Sequence, residues 1–366
     1  MKNFGFGCMR LPMQGDAVDY GEFTRMIDAF MDAGFTYFDT AHVYLDGQSE
    51  TALRDCLVRR YPREAFQLTD KLSNSRWQKE ADILPLFARQ LEACGVEYFD
   101  CYLMHAQNAS LDRKYTDEHA YEICSELKRQ GKIRHLGISF HDKAAVLDDI
   151  LNRHPEIEVV QIQFNYADYE DVSIQSRLCY EVCRKHGKPV LVMEPVKGGS
   201  LVNLPPDAMA VLEGLHGGSA ASYAIRFAAS FPGVMVVLSG MSSLPQMLDN
   251  LSYMTDFRPL NEAEFAAIDR VREIYWAQDL VPCTGCRYCI DGCPKHIPIP
   301  ELFTCLNALK QEGFFDFAQT NAYQLAVEGK GKASDCIRCG KCERICPQKL
   351  DIRDLLETVA DRFETE

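Results

Sequence analysis

The stretches CTGCRYCIDGCP (residues 283–294) and CIRCGKCERICP (residues 336–347) share one spacing, C-x2-C-x2-C-x3-C-P. Two-residue gaps let three successive thiolates reach three corners of one iron–sulfur cubane, while the fourth cysteine, redirected by the proline, reaches a second cubane. The spacing therefore assigns Cys283, Cys286, Cys289 and Cys346 to one [4Fe–4S] cluster, and Cys336, Cys339, Cys342 and Cys293 to another. Zinc takes four ligands in two pairs and gives no reason for a third cysteine and a proline at fixed offsets in both runs.

Outside these runs the other eight of the sixteen cysteines (Cys8, Cys56, Cys94, Cys101, Cys124, Cys179, Cys183, Cys305) are scattered in apolar surroundings. They read as small core residues rather than a disulfide framework. The net charge of −14 argues against a nucleic-acid or anionic-membrane surface. No apolar run approaches the length of a membrane span. The opening MKNFGFGCMRLP lacks a charged start, apolar core and cleavage site, so a reducing cytoplasm is the expected compartment.

Upstream of the cysteines, apolar runs alternate with helical patterns. The candidate strands are Asn3–Met9, Thr36–Ala41, Phe66–Lys71, Asp100–His105, Arg134–Phe140, Glu158–Phe164, Pro189–Glu194 and Val234–Ser239. Helical spacing marks Tyr20–Ala33, Lys79–Cys94, Asp117–Gln130, Lys143–Arg153, Val172–His186 and Ser219–Ser230. Eight strand–helix units predict a (β/α)8 TIM barrel over residues 1–275. A doubly wound sheet is the runner-up, but no G-x-G-x-x-G turn follows the first strand. Residues 276–366 read as a small helical ferredoxin-like domain, with helices over Ile299–Glu312, over Phe314–Glu328 and from Ile352 onward. Polar residues close most of the strands (Asp39, Lys71, His105, Ser139, Gln161, Glu194, Ser239), and in a barrel these ends meet at one mouth.

Asp39 and Tyr44 in FDTAHVY, Lys71 in LTDK and His105 in DCYLMH resemble the Asp/Tyr/Lys/His tetrad of the aldo-keto reductase family. FGFGCMRLP, GIS, QIQFNY and EPVKGGSL resemble that family in the same order, and the cysteine tail resembles its branch with a C-terminal 4Fe–4S module. The resemblance implies an NAD(P)H-dependent oxidoreductase acting on a small carbonyl or alcohol. A carbonyl reduced by hydride leaves an alkoxide that must be protonated, and Tyr44 is the candidate donor. Lys71 would lower the phenol's pKa of about 10, Asp39 would hold Lys71, and His105 would donate to the carbonyl oxygen.

For the dinucleotide, the resemblance places the nicotinamide amide against Ser139 and Gln161 and its ring near Met193. The pyrophosphate would follow Pro195–Leu201, including Gly198, Gly199 and Leu201. The adenosine side would lie along Ser239, Gly240, Ser242, Gln246 and Asn250; Asn165 reads as structural. Three departures bear on the cofactor, the first being that Phe140 and His141 follow Ser139 where the family usually has Asn. Met193 stands where a stacking aromatic is common, and Ser242 where a basic residue usually meets a 2′-phosphate, leaving NADP or NAD open. Asn74–Trp77, the His105–Arg113 loop and Trp276 are candidate pocket walls.

Three functions compete at this level. One is a carbonyl reductase carrying two clusters, with a redox partner protein as a further expectation. Another is an electron-transfer unit whose barrel is a docking or flavin-holding scaffold. In the third, the clusters are structural staples. An intact tetrad favours the reductase. Anaerobically prepared protein is expected to be brown and to hold about eight irons per chain, four per cubane. Stoichiometric zinc without iron, despite adequate iron supply, would contradict the cysteine assignment.

Overall fold

The computed structural model describes residues 3–215, 217–312 and 317–364. Contacts divide the chain into two compact units, Met1–Val196 with Leu212–Ile268, and Lys197–Val211 with Asp269–Glu366.

Eight strands organise the first unit: β1 (Phe4–Gly7), β2 (Tyr37–Asp39), β3 (Gln67–Leu72), β4 (Phe99–Gln107), β5 (Ile133–Phe140), β6 (Val159–Gln163), β7 (Val190–Met193) and β8 (Val234–Ser239). Each pairs in parallel with its neighbours in chain order, and β8 closes on β1, giving the expected (β/α)8 barrel. A short hairpin, Met13–Gln14 with Ala17–Val18, follows β1.

Side chains, not solvent, fill the barrel. Tyr37, Cys101, Leu103, Val159, Leu191, Val236 and Leu238 form one buried cluster. Glycines supply the remaining room: a Cβ at Gly137 would stand 2.5 Å from the Val159 carbonyl oxygen and 2.7 Å from Leu103 Cδ2. At the strands' C-terminal ends this apolar filling gives way to Asp39, Lys71 and His105.

The outer layer follows from helical periodicity. In α1 (Tyr20–Asp32), Phe23, Met26, Ile27 and Phe30 turn inward at three- and four-residue spacing, and the Asp19 carboxylate caps the Glu22 N–H at 2.9 Å. Phe30 meets Phe38 at 5.2 Å between ring centroids, sealing the helix on the sheet. The later helices are α2 (Gln48–Leu53), α3 (Ile83–Cys94), α4 (Ala109–Asp117), α5 (Ala120–Arg129), α6 (Ala144–Arg153), α7 (Ser176–Lys185), α8 (Pro206–Glu213), α9 (Ala220–Ala229), α10 (Leu244–Met254) and α11 (Glu262–Ala277).

Two boundaries differ from expectation for identifiable reasons. The segment expected as one helix over Asp117–Gln130 is helical only from Ala120, because His119 takes φ 53 between α4 and α5. The helix expected from Val172 begins at Ser176, because the Asp171 carboxylate accepts from the N–H groups of Ser173 and Ile174, both at 2.8 Å. That local turn competes with helix formation.

The second unit is helical, with α12 (Tyr288–Asp291), α13 (Ile299–Glu312), α14 (Phe317–Val327), α15 (Lys341–Ile345) and α16 (Ile352–Phe363). The expected start of a helix at Phe314 lies outside the described residues. Leu302, Phe303, Leu306, Leu356 and Val359 form the core of this unit, and Tyr323 stacks on Phe363 at 5.0 Å. Among the described residues no helix is long and apolar enough to cross a membrane.

The tight approach at Gly137 generates a stability prediction. Gly137→Ala should lower unfolding stability by roughly 1–3 kcal/mol, the usual penalty for overpacking a filled core. Urea unfolding measures it, and an unchanged midpoint would mean that the barrel interior has slack.

Candidate functional site

Just after β2 the backbone turns sharply: Tyr44 N–H bonds to the Ala41 carbonyl at 2.9 Å, then Leu45, Asp46 and Gly47 all take positive φ (51, 52 and 86). Two successive non-glycine residues in that region are strained, and strain of this kind concentrates where a side chain must be held. The turn aims Tyr44 back over the barrel mouth. The Lys71 ammonium, fully buried, bonds to Asp39 Oδ1 at 2.5 Å, the Thr40 carbonyl at 2.8 Å and Tyr44 Oη at 3.3 Å. Asp39 Oδ2 accepts from Gln161 Nε2 at 3.0 Å. His105 stands 6.1 Å from Tyr44 between ring centroids, its Nδ1 2.7 Å from Ser73 Oγ. The four residues expected from successive strand ends are thus gathered at one mouth.

The electrostatics correct one expectation. Burial pushes the Tyr44 phenol well above its usual range, and the Asp39 carboxylate adds to the rise. Lys71 does not reverse this, because its ammonium lies closer to Asp39 than to the phenol. Tyr44 is therefore a protonated phenol in the resting site. Burial pulls His105 well below the usual imidazole range, with Lys71 and His141 acting in the same direction, so the ring is neutral.

Three features were missed in the sequence. Ser73 positions His105, and its signal was available: it lies two residues beyond Lys71, in the same strand phase. Glu22, on α1, accepts from the Leu244 N–H at 2.7 Å and so places a carboxylate at the N-terminus of α10. Behind Lys71 lies a buried carboxyl pair, Asp70 and Glu50. Asp70 accepts from the Lys71 N–H at 2.7 Å and from Gln90 Nε2 at 2.9 Å, and Glu50 Oε2 lies 2.7 Å from His42 Nδ1. Burial pushes Glu50 up to about 7 and Asp70 well above the usual range, with Glu50 contributing to the latter.

The expected cofactor residues are distributed as follows. Ser139 is buried, with its Oγ accepting from the Ala106 N–H at 2.8 Å; Gln161 is held by Asp39. Asn165 bonds to Asp168 Oδ2 at 2.8 Å and the Glu194 carbonyl at 3.1 Å, a structural tie. Met193 ends β7, and Pro195 follows it. Of the two glycines beyond, Gly199 faces open space, whereas the space over Gly198 is filled by Thr284, and Leu201 is buried. Ser239 Oγ accepts from Asn250 Nδ2 at 3.0 Å. Gly240 follows Ser239. Ser242 Oγ donates to the Arg10 carbonyl at 2.9 Å, and the Ser242 N–H bonds to Gln246 Oε1 at 2.8 Å. Trp77, expected as a pocket wall, is buried under Lys114, whose ammonium lies 3.9 Å from the ring centroid.

The eight motif cysteines line two cavities. Cys283, Cys286, Cys289 and Cys346 surround one of about 330 Å³, counting its solvent-facing part. Cys293, Cys336, Cys339 and Cys342 surround another of about 340 Å³. Burial, together with Cys286, Cys283 and Cys346, pushes the Cys289 thiol up; burial raises Cys342 to about 11, with Glu343 and Cys336 adding to the rise. Four thiols around one space suit a cationic iron core, which deprotonates its ligands and relieves their mutual repulsion.

The aldo/keto reductase family profile matches residues 3–273, and the 4Fe-4S dicluster domain profile matches residues 282–350. Aldo-keto reductase str7 of Strobilurus tenacellus is 28% identical over 212 residues, covering 55% of this chain and 60% of that protein. The 9,11-endoperoxide prostaglandin H2 reductase of Trypanosoma cruzi is 24% identical over 271 residues, covering 72% of this chain and 89% of that protein. A crystal structure of an aldo-keto reductase from Klebsiella pneumoniae in complex with NADPH superposes with a TM-score of 0.61 at 20% identity, over 74% of this chain and 90% of that one.

The Glu50–Asp70 pair generates a pH prediction. Unfolded Glu50 titrates near the ordinary value of about 4.3, but folded Glu50 titrates at about 7. Between these values the folded state keeps a proton that the unfolded state has released, so stability falls as pH rises through the window. Glu50→Gln should show a shallower fall in urea midpoint between about pH 4 and about pH 7. Parallel pH profiles would contradict the assignment.

Proposed function

We propose, for a chain that belongs to the aldo/keto reductase family and carries a 4Fe-4S dicluster domain, a carbonyl reductase in which Tyr44 is the general acid. The observation that carries this reading is the contact chain Asp39–Lys71–Tyr44 beside His105. NAD(P)H, when bound, supplies hydride to the carbonyl carbon. Tyr44 Oη then gives its proton to the oxygen as negative charge builds there. The departing proton leaves a phenolate 3.3 Å from the Lys71 ammonium, where the attraction is strengthened by burial. Asp39 fixes that ammonium, and Gln161 fixes Asp39. Donation to the carbonyl oxygen requires the Nε2–H tautomer of neutral His105, in which Nδ1 accepts from Ser73 Oγ 2.7 Å away.

Ser139, Gln161, Met193, Pro195, Gly199 and Leu201 are the residues we place along the nicotinamide and pyrophosphate; Gly198, expected among them, is covered by Thr284. Ser239, Gly240, Ser242, Gln246 and Asn250 are placed along the adenosine. Cys283, Cys286, Cys289 and Cys346 are proposed to hold one cluster, and Cys336, Cys339, Cys342 and Cys293 the other. The two cavities they line support this partition. The clusters are placed off the hydride path and are left to exchange single electrons with a partner, in a cytoplasmic enzyme. A reductase domain over 1–275 and a cluster domain over 276–366 is the corresponding division.

Two predictions follow from the site. Tyr44→Phe keeps the ring but removes the donor, so carbonyl reduction should fall about 10²–10⁴-fold while dinucleotide still binds. Near-normal turnover would refute the general-acid role. The second concerns the adenosine side, where Ser242 supplies no charge and Glu22 sets a carboxylate at the α10 N-terminus. A 2′-phosphate there would meet that carboxylate, which its ion pair with Arg25 only partly offsets, so NADH should compete with NADPH. Glu22→Gln combined with Ser242→Arg should tilt binding toward NADPH by about tenfold or more, since a charged hydrogen bond contributes about 1.5–3 kcal/mol. A strong NADPH preference already present in the unmodified protein would contradict this.

A further inference from the structure

A lysine is buried next to the first cysteine cavity. Lys197 has 1% of its surface exposed, and its ammonium donates to Gln348 Oε1 at 2.8 Å. The Trp276 ring centroid lies 5.7 Å from it. Gln348 stands two residues after Cys346 and, with Thr284, lines the cavity shared by Cys283, Cys286, Cys289 and Cys346. The adjacent Gly198 presses on Thr284: a Cβ there would stand 2.6 Å from the Thr284 carbonyl oxygen. All of these residues belong to the second unit. Lys197 itself takes φ 46, a left-handed conformation that glycine or asparagine adopts with less strain. A long cationic residue held in a strained backbone, buried, and tied to the wall of a thiol cavity calls for a reason beyond chain geometry.

We propose that Lys197 is a positioning residue for the cluster of Cys283, Cys286, Cys289 and Cys346, and that its charge favours the one-electron reduced state of that cluster. The inference rests on the cluster assignment above. Reduction adds one electron, and so one negative charge, without breaking or forming a bond. Away from water that added charge is attracted by a nearby ammonium with little screening, and net charge and hydrogen bonding are what set cluster potentials. An ammonium only donates, so Gln348 turns its oxygen to Lys197. The second cavity differs. Its lining cations, Lys295, Lys341 and Arg353, are none of them buried, and Arg353 is bonded to Glu343 at 2.8 Å. Solvent screens that group, so removing Lys197 should affect one cluster and spare the other.

The test uses full-length protein prepared anaerobically. Iron content and visible absorbance first establish both clusters in every variant, and a wild type without iron would overturn the cluster assignment itself. Potentiometric titration with dithionite, followed by paramagnetic resonance, then reads the two midpoints. Lys197→Met should lower one midpoint, making the reduced-to-oxidised ratio at fixed potential about tenfold smaller, or about 59 mV for one electron. The other midpoint should stay in place, and Lys197→Arg should restore the first. Gln348→Leu, which unties the ammonium, should lower the same midpoint, and it decides the question if Lys197→Met loses iron. Intact iron with both midpoints unchanged, both moved equally, or wild-type clusters that dithionite cannot reduce would each overturn the proposal.

Discussion

An ammonium with no exposed surface persists at the barrel mouth because a carboxylate lies 2.5 Å away. Losing either partner would strand a buried charge, which in general costs about 3–5 kcal/mol. The rest of the site follows from that constraint. Asp39 must end β2 and Lys71 must sit near the C-terminal end of β3, so adjacent parallel strands bring them together, with Asp39 registered opposite Thr69. Gln161 then braces the second carboxylate oxygen from across the barrel. Tyr44 is carried to the ammonium by a strained turn, not by a strand.

Burial, with the Asp39 carboxylate adding to it, explains why the resting phenol keeps its proton. Lys71 is engaged by Asp39 and by the Thr40 carbonyl, so its pull on Tyr44 is modest until negative charge develops there. A group that holds its proton at rest and is stabilised once it has given it up is suited to general-acid work. Cluster chemistry differs in kind. A hydride moves two electrons together, whereas each cubane accepts one, which is why we place the clusters off the hydride path.

Much of this was legible before folding was considered. Strand–helix alternation disclosed the barrel because each buried strand reads as an apolar run, and the cysteine spacing groups the same thiols that line each of the two cavities. What stayed hidden depends on side-chain reach. Asp171 stops a helix by bonding its own neighbours, and His119 divides another by a single left-handed residue. Both positions look helical by periodicity. Glu22 acts on a helix more than two hundred residues away, and Glu50 meets Asp70 only when α2 packs behind β3. Gly198 reads as room for a ligand, yet its space is taken by Thr284.

On the proposed route, reducing equivalents reach the carbonyl as hydride at the Tyr44 mouth, not as single electrons through the clusters. Isotope tracing tests it most directly. Cluster-replete protein would be given a carbonyl substrate and NAD(P)H deuterated at the transferable C4 position, in ordinary water. The account predicts one deuterium on the former carbonyl carbon of every product molecule. Product carrying solvent hydrogen at that carbon, with the label lost to water, would contradict it.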